Sequence, residues 1–225
     1  MAFNPYYYCI VSSVRLYARL MLKLDVCWHE PFPAGAKLLA ANHPSATDPF
    51  VIHLLMREHL SVFISANAFA MPLFGAYLRL CEQIPVAAEQ GRDALDEGRR
   101  RLKAGRAVGI FPEGLVSPES GYHQPRKGTA RLALETGAPI IPIGIYLPRD
   151  CRTRLSSELS GKHAEALWYL RGPYFITVGE AIKFSGNADD KNLVNEITNQ
   201  IMEKIDVLAQ ESQCRAEAKL TLKNI

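Results

Sequence analysis

The chain has 225 residues, 48% hydrophobic and 22% charged, with a formal net charge of +3. It is long enough for one sizeable α/β core without disulfides or a structural metal, too apolar for a disordered chain and too interrupted for a polytopic membrane protein. Five scattered cysteines, Cys9, Cys27, Cys81, Cys151 and Cys214, form no Cys-x-x-Cys, so reduced thiols are expected rather than a disulfide framework or zinc ribbon.

The first expected element is a helix over Tyr6–Leu24. Arg15, Arg19 and Lys23 recur at i, i+4, i+8 as a basic stripe, while Tyr7, Ile10, Val11, Val14, Tyr17, Ala18, Met21 and Leu22 cover most of the rest. Such a helix is roughly 28 Å long, but Arg15 near the midplane costs about 2.5–3.5 kcal/mol, so a membrane span is disfavoured. Two arrangements remain open: a helix lying in the membrane interface with its cations on anionic headgroups, or one packing its apolar face on the domain. The lack of a basic start, and the arginines inside the apolar run, predict no cleavable signal peptide. Residues 1–24 are read as an amphipathic interface helix and 25–225 as one domain.

Strands then alternate with helices. Lys37–Ala41 predicts a strand and Pro49–Glu58 a helix. Ser61–Ser65 is a short strand, Pro72 to Arg79 a short helix, and Gln83–Ala87 a strand. Arg92–Lys103 is a charged helix ended by Gly105, and Arg106–Phe111 a strand. Thr129–Thr136 is a helix closed by Gly137; Ile140–Tyr146 and Tyr174–Val178 are strands; Asn192–Gln213 is an amphipathic helix. Arg149–Arg171 is the least regular stretch and reads as an insertion. The expected fold is α/β: a mixed, largely parallel sheet flanked by helices, with an N-terminal amphipathic helix.

The strand Lys37–Ala41 runs into Asn42-His43-Pro44-Ser45-Ala46-Thr47-Asp48-Pro49. A His followed five residues later by an Asp, at a strand-to-helix turn, suits a general base and the carboxylate that orients it. Asp48-Pro49 equally fits a helix N-cap followed by Pro, and Ser45-x-x-Asp48 a capping box. Phe111-Pro112-Glu113-Gly114 ends another strand, where open α/β sheets place their sites. Gly114 permits close backbone approach.

Taken together, these segments resemble the glycerolipid acyltransferase family typified by 1-acylglycerol-3-phosphate acyltransferase. Asn42-His43-x-x-x-x-Asp48-Pro49 is similar to its first motif, Ile84-Pro85-Val86 to its second, Phe111-Pro112-Glu113-Gly114 to its third, and Ala138-Pro139-Ile140-Ile141-Pro142-Ile143 to its fourth. Pro72-Leu-Phe-Gly75 and Arg126-Lys127-Gly128 resemble connecting stretches, and the similarity runs over roughly residues 25–182.

The resemblance implies that His43 deprotonates an acceptor hydroxyl, which attacks the thioester of acyl-CoA or acyl carrier protein, with Asp48 orienting His43. It implies acceptor binding by Glu113, Gly114 and Ser117, with Arg126 and Lys127 as nearby cations, and no metal or cofactor. Two departures bear on the acceptor. Phosphate-accepting members carry an Arg after the second motif, where Ala87 and Ala88 stand here. Their third motif continues Thr-Arg-Ser, where this chain has Leu115-Val116-Ser117. Guanidinium groups suit phosphate because they donate two parallel charge-assisted bonds. Without them, the cations left to meet a phosphate are Arg92, Arg126 and Lys127, and a lysolipid with another headgroup, or a glycolipid, becomes an expected acceptor. The expected setting is peripheral, on the cytoplasmic face of an anionic membrane. A catalytically silent lipid-binding protein on the same fold is the alternative. Nucleic acid is not an expected partner, because no recognition motif or aromatic platform accompanies the basic residues.

Overall fold

The computed structural model describes residues 4–87, 91–118, 120–159 and 162–221. Helix α1 (Pro5–Met21) starts where Asn4 accepts the Tyr7 N–H at 3.1 Å and Pro5 sets the first helical φ. It ends earlier than the periodicity predicts. Leu22 turns into the extended region and opens strand β1 (Leu22–Trp28), so the residue-24 boundary falls inside a strand. Tyr7, Val11 and Ala18 are buried, which makes α1 a packed helix; Arg15, Leu16, Arg19 and Leu20 face outward.

Strand β2 (Lys37–Ala41) leads to a single turn of helix, α2 (Asp48–Val51), which tightens to a 3-10 turn at Ile52–Leu55 rather than running on to Glu58. The chain continues through β3 (Leu60–Ser65), α3 (Ala66–Ala70), α4 (Pro72–Leu80), β4 (Ile84–Val86), α5 (Gly91–Lys103), β5 (Ala107–Ile110), α6 (Gly128–Thr136) and β6 (Ile140–Tyr146). Gly137 closes α6 in the left-handed conformation, φ 66°. The described residues of the stretch read as an irregular insertion form regular structure. A 3-10 turn at Arg149–Cys151 leads into an antiparallel hairpin, β7 (Arg152–Leu159) and β8 (Lys162–Tyr169). Strand β9 (Gly172–Val178) and α7 (Lys191–Thr221) complete the chain.

The main sheet has the order β1-β9-β6-β2-β5-β3-β4. All neighbours are parallel except β6 and β9, so β1 and β9 run against the other five strands. Alternation along β2 divides the core: Leu39 and Ala41 face α1 and α2, while Leu38 and Ala40 face α5, α6 and α7. Helix α7 lies directly on β6 at Gly144, where an added Cβ would come within 2.1 Å of the Ala209 backbone. Ser212 Oγ donates to Gly144 O at 3.0 Å and pairs with Thr177 Oγ1 at 2.7 Å, fixing that approach. The outcome is the predicted mixed, mostly parallel sheet flanked by helices, with β2 and β5 adjacent at its centre. Their ends deliver His43 and Glu113 to the same place.

Candidate active site

Asn42 leaves β2 buried and trades two bonds with Ile145, donating to its carbonyl at 2.8 Å and accepting its N–H at 2.7 Å. That side chain extends the β2–β6 pairing past the last strand residue and fixes the angle at which His43 emerges. The His43 ring stacks on Phe111, centroids 4.2 Å apart and planes 20° apart. Its Nδ1 lies 2.9 Å from Asp48 Oδ2; the histidine side chain is 13% exposed and the aspartate fully buried.

Asp48 is not a conventional cap. The helix N-cap position is Thr47, with no side-chain cap bond. One half of a capping box does form, because Asp48 Oδ2 accepts the Ser45 N–H at 2.8 Å. The other oxygen, Oδ1, accepts the Tyr174 hydroxyl at 2.5 Å. Burial, and then the charge of Asp48, push the Tyr174 hydroxyl well above its ordinary pKa, so it stays a neutral donor. Three donors on a buried carboxylate fix its orientation. With Asp48 accepting at Nδ1, the proton sits there and Nε2 is left as the basic nitrogen.

The hairpin holds the loop between His43 and Asp48. Ala46 N–H donates to Leu167 O at 2.8 Å, and Thr47 Oγ1 bonds both the N–H and the carbonyl of Tyr169, at 3.1 and 3.0 Å.

Glu113 is 2% exposed. Its Oε1 accepts the His43 N–H at 3.2 Å and the Ser117 hydroxyl at 2.5 Å, and its Oε2 accepts the His123 N–H at 3.0 Å. Ser117 closes the ring by donating its own N–H to His43 O at 2.7 Å. The structure therefore unites His43, Asp48, Glu113 and Ser117, but turns the last two toward the His43 backbone. Gly114 takes φ +68°, and Arg126 lies across it, so close that a Cβ would come within 2.6 Å of Arg126 Nε. Lys127 caps α6 and is exposed, as is Arg92 on the first turn of α5; neither side chain bonds a described site residue. Tyr174 and His123 were not legible as site residues, since no motif in their own segments marks them; Phe111 and Thr47 lie inside the motif segments, but their spacing there gave them no role. Among the described residues no group of three or more His, Cys, Asp or Glu side chains could hold a metal ion.

A His–Asp pair at the end of a central parallel strand, with no nucleophilic side chain bonded to the histidine among the described residues, has the geometry that a general base for group transfer requires. The acyltransferase family profile matches residues 23–146, and the chain belongs to that family. It is similar to the 1-acyl-sn-glycerol-3-phosphate acyltransferase of Borreliella burgdorferi, 26% identical over 191 residues, covering 83% of this chain and 73% of that protein. The enzyme of the same name from Pseudomonas aeruginosa is 29% identical over 136 residues, covering 57% and 52%. The crystal structure of the 1-acyl-sn-glycerophosphate acyltransferase PlsC of Thermotoga maritima superposes with a TM-score of 0.60 over 88% of this chain and 80% of that one, at 21% identity, and shares its fold. The protein is an acyltransferase of the 1-acylglycerol-3-phosphate type.

Proposed function

We propose that this enzyme moves a fatty acyl group from an acyl thioester, carried on coenzyme A or acyl carrier protein, to a hydroxyl of a lysolipid. The observation that carries the reading is the His43–Asp48 pair, with Asp48 fully buried and held by Ser45 and Tyr174. Nε2 of His43 takes the proton from the acceptor hydroxyl as its oxygen attacks the thioester carbonyl. Asp48 stabilises the imidazolium that forms. Collapse of the tetrahedral intermediate expels the thiolate, which recovers the proton from Nε2. Glu113 and Ser117 hold the His43 backbone still, so they act as positioning residues rather than as direct acceptor ligands. Gly114, Arg126 and Lys127 form the exposed rim beside them, where the acceptor is bound.

A peripheral setting on the membrane fits α1. Its outward face carries Leu16, 59% exposed, and Leu20, 74% exposed, beside Arg15 and Arg19. Among the described residues no helix is long and apolar enough to cross a membrane. That face suits shallow insertion with the cations on anionic headgroups.

The test is transfer of labelled acyl groups from acyl-CoA and acyl carrier protein to a panel of lysophosphatidate, other lysophospholipids and lysoglycolipids. The names of the relatives put lysophosphatidate first in that panel. His43→Ala should lose about 10²–10⁴ in rate. Label released as free fatty acid, or transfer unaffected by His43→Ala, would overturn the proposal.

A further inference from the structure

Thr47 breaks the rule of its own position. It stands at the N-cap of α2, where a threonine hydroxyl ordinarily accepts a backbone N–H of the first turn, yet no such bond forms. The residue is 4% exposed, and its hydroxyl is directed elsewhere. Oγ1 accepts the Tyr169 N–H at 3.1 Å and donates to the Tyr169 carbonyl at 3.0 Å, 122 positions away in sequence. It also accepts the Ser45 hydroxyl at 3.2 Å, while the Thr47 N–H donates to Ser45 Oγ at 3.1 Å. A hydroxyl has one proton and two lone pairs, and all three are used here.

Tyr169 and Leu167 belong to β8. In an antiparallel pair, alternate residues turn their backbone groups away from the partner strand. Leu167 and Tyr169 offer theirs to the edge of β8 that β7 leaves free, and the loop between His43 and Asp48 covers that edge through Ala46 and Thr47. Tyr169 is itself fixed. It is fully buried, its hydroxyl donates to Pro173 O at 2.6 Å, and its ring meets Tyr174 edge-on with centroids 5.8 Å apart. Besides His43, the groups bonded to Asp48 are the Tyr174 hydroxyl and the Ser45 N–H. Tyr169 braces both, Tyr174 by ring packing and Ser45 through Thr47. The family profile ends at residue 146, so this bracing comes from outside the matched segment. A residue that forgoes its local cap for a distant backbone marks a place where tertiary demands override local preference, as functional sites do.

We propose that Thr47 is a positioning residue of this acyltransferase: by tying the catalytic loop to the free edge of β8, it holds Asp48, and through Asp48 the His43 ring, at the angle that proton transfer requires. The inference rests on the acyl-transfer reading for the reaction that is served, and not for the geometry of the pair.

The test compares Thr47→Ser, Thr47→Cys and Thr47→Val in the full chain, with Thr198→Val as the reference. Serine keeps the hydroxyl, cysteine offers a weaker donor and acceptor, and valine keeps the volume with neither. Thr198 is buried alike, 5% exposed, and its hydroxyl donates to Val194 O within α7. Each variant is assayed for acyl transfer at a temperature where its melting curve shows it folded. The His43 ring is followed separately by NMR of isotope-labelled histidine.

Thr47→Val should lose about 10–10²-fold in kcat with KM changed by less than about twofold, because a buried positioning group meets no substrate. Thr47→Cys should fall between, and Thr47→Ser should return to within about threefold of wild type. The Nδ1 proton should give a hydrogen-bonded resonance in wild type and Thr47→Ser, and should broaden or give way to the other tautomer in Thr47→Val. Thr198→Val should lower the melting temperature and leave kcat, KM and the ring spectrum unchanged. A folded Thr47→Val with wild-type kcat and ring spectrum would overturn the proposal, and so would a raised KM with kcat unchanged. Should Thr47→Val not fold, equal turnover in Thr47→Ser and Thr47→Cys overturns it instead. A wild-type protein that transfers no acyl group, but whose ring responds to these variants as described, would sink the acyl-transfer reading and leave the positioning role standing.

Discussion

Tyr174→Phe removes one oxygen and nothing else from the core, because the ring that packs between the strands remains. The lost hydroxyl is the donor to Asp48 Oδ1, 126 residues away in sequence, and Asp48 is fully buried. Its oxygen is then left without a protein partner. An unmet buried acceptor costs about 1–3 kcal/mol, and a charged one lies at the upper end. For a chain of this size each kcal/mol moves the melting temperature by about 2–4 °C, so a fall of about 4–12 °C is expected. Asp48 also loses the contact that sets its rotation toward His43 Nδ1. Turnover should drop about tenfold, with KM unchanged because Tyr174 is buried away from any ligand. A double-mutant cycle with Asp48→Asn, read by thermal unfolding and by acyl transfer, should give a coupling energy of about 0.5–3 kcal/mol. A Tyr174→Phe enzyme with wild-type melting temperature and wild-type turnover would refute the three-donor account of Asp48.

Glu113→Gln presents an amide where three donors now meet a carboxylate, so one donor faces an N–H; stability should fall by about 1–3 kcal/mol and kcat by about tenfold with KM unchanged, whereas a direct acceptor ligand would raise KM. The buried His53 is pushed down to about 3 by loss of water and then by His59, which burial, then Arg106 and Arg101, push down to about 4 against the opposing pull of Glu82. Both lie below the ordinary 6.5, so the unfolded chain binds the extra protons. Their contribution is intact above pH 6.5 and is lost as pH falls toward 4, by about 1.4 kcal/mol per pH unit for each group. Melting curves across that window should show the loss, and His53→Asn, which keeps an acceptor for Tyr7, should flatten it. Replacing Arg15 and Arg19 together by Gln should weaken co-sedimentation with phosphatidylserine vesicles about 30-fold, from about 1 kcal/mol per cation, and leave binding to neutral vesicles unchanged.

Most of the alternating pattern was legible because burial on both faces of a parallel strand writes a near-continuous apolar run, as in Ile140–Tyr146, and because Gly137 marks a helix end. Strand β1 was hidden. Leu22 and Leu24 continue the helical spacing of α1, and only pairing with β9 makes the segment extended. Hairpin β7–β8 was hidden because Arg, Ser, Glu and Lys interrupt it, and its two strands support each other outside the main sheet.

The sequence by itself marked the candidate pair. His43 and Asp48 are five residues apart at a strand-to-helix turn, which keeps them near each other, while hairpin β7–β8 and Tyr174 hold the loop and the carboxylate in place. It also marked Glu113, at the end of a predicted strand. Only the tertiary structure decided that Glu113 touches His43, because the two meet through the side-by-side placement of β2 and β5. The same holds for Tyr174 on Asp48. Those contacts join residues 70 or more positions apart, and their energy depends on burial and orientation, which local spacing does not encode.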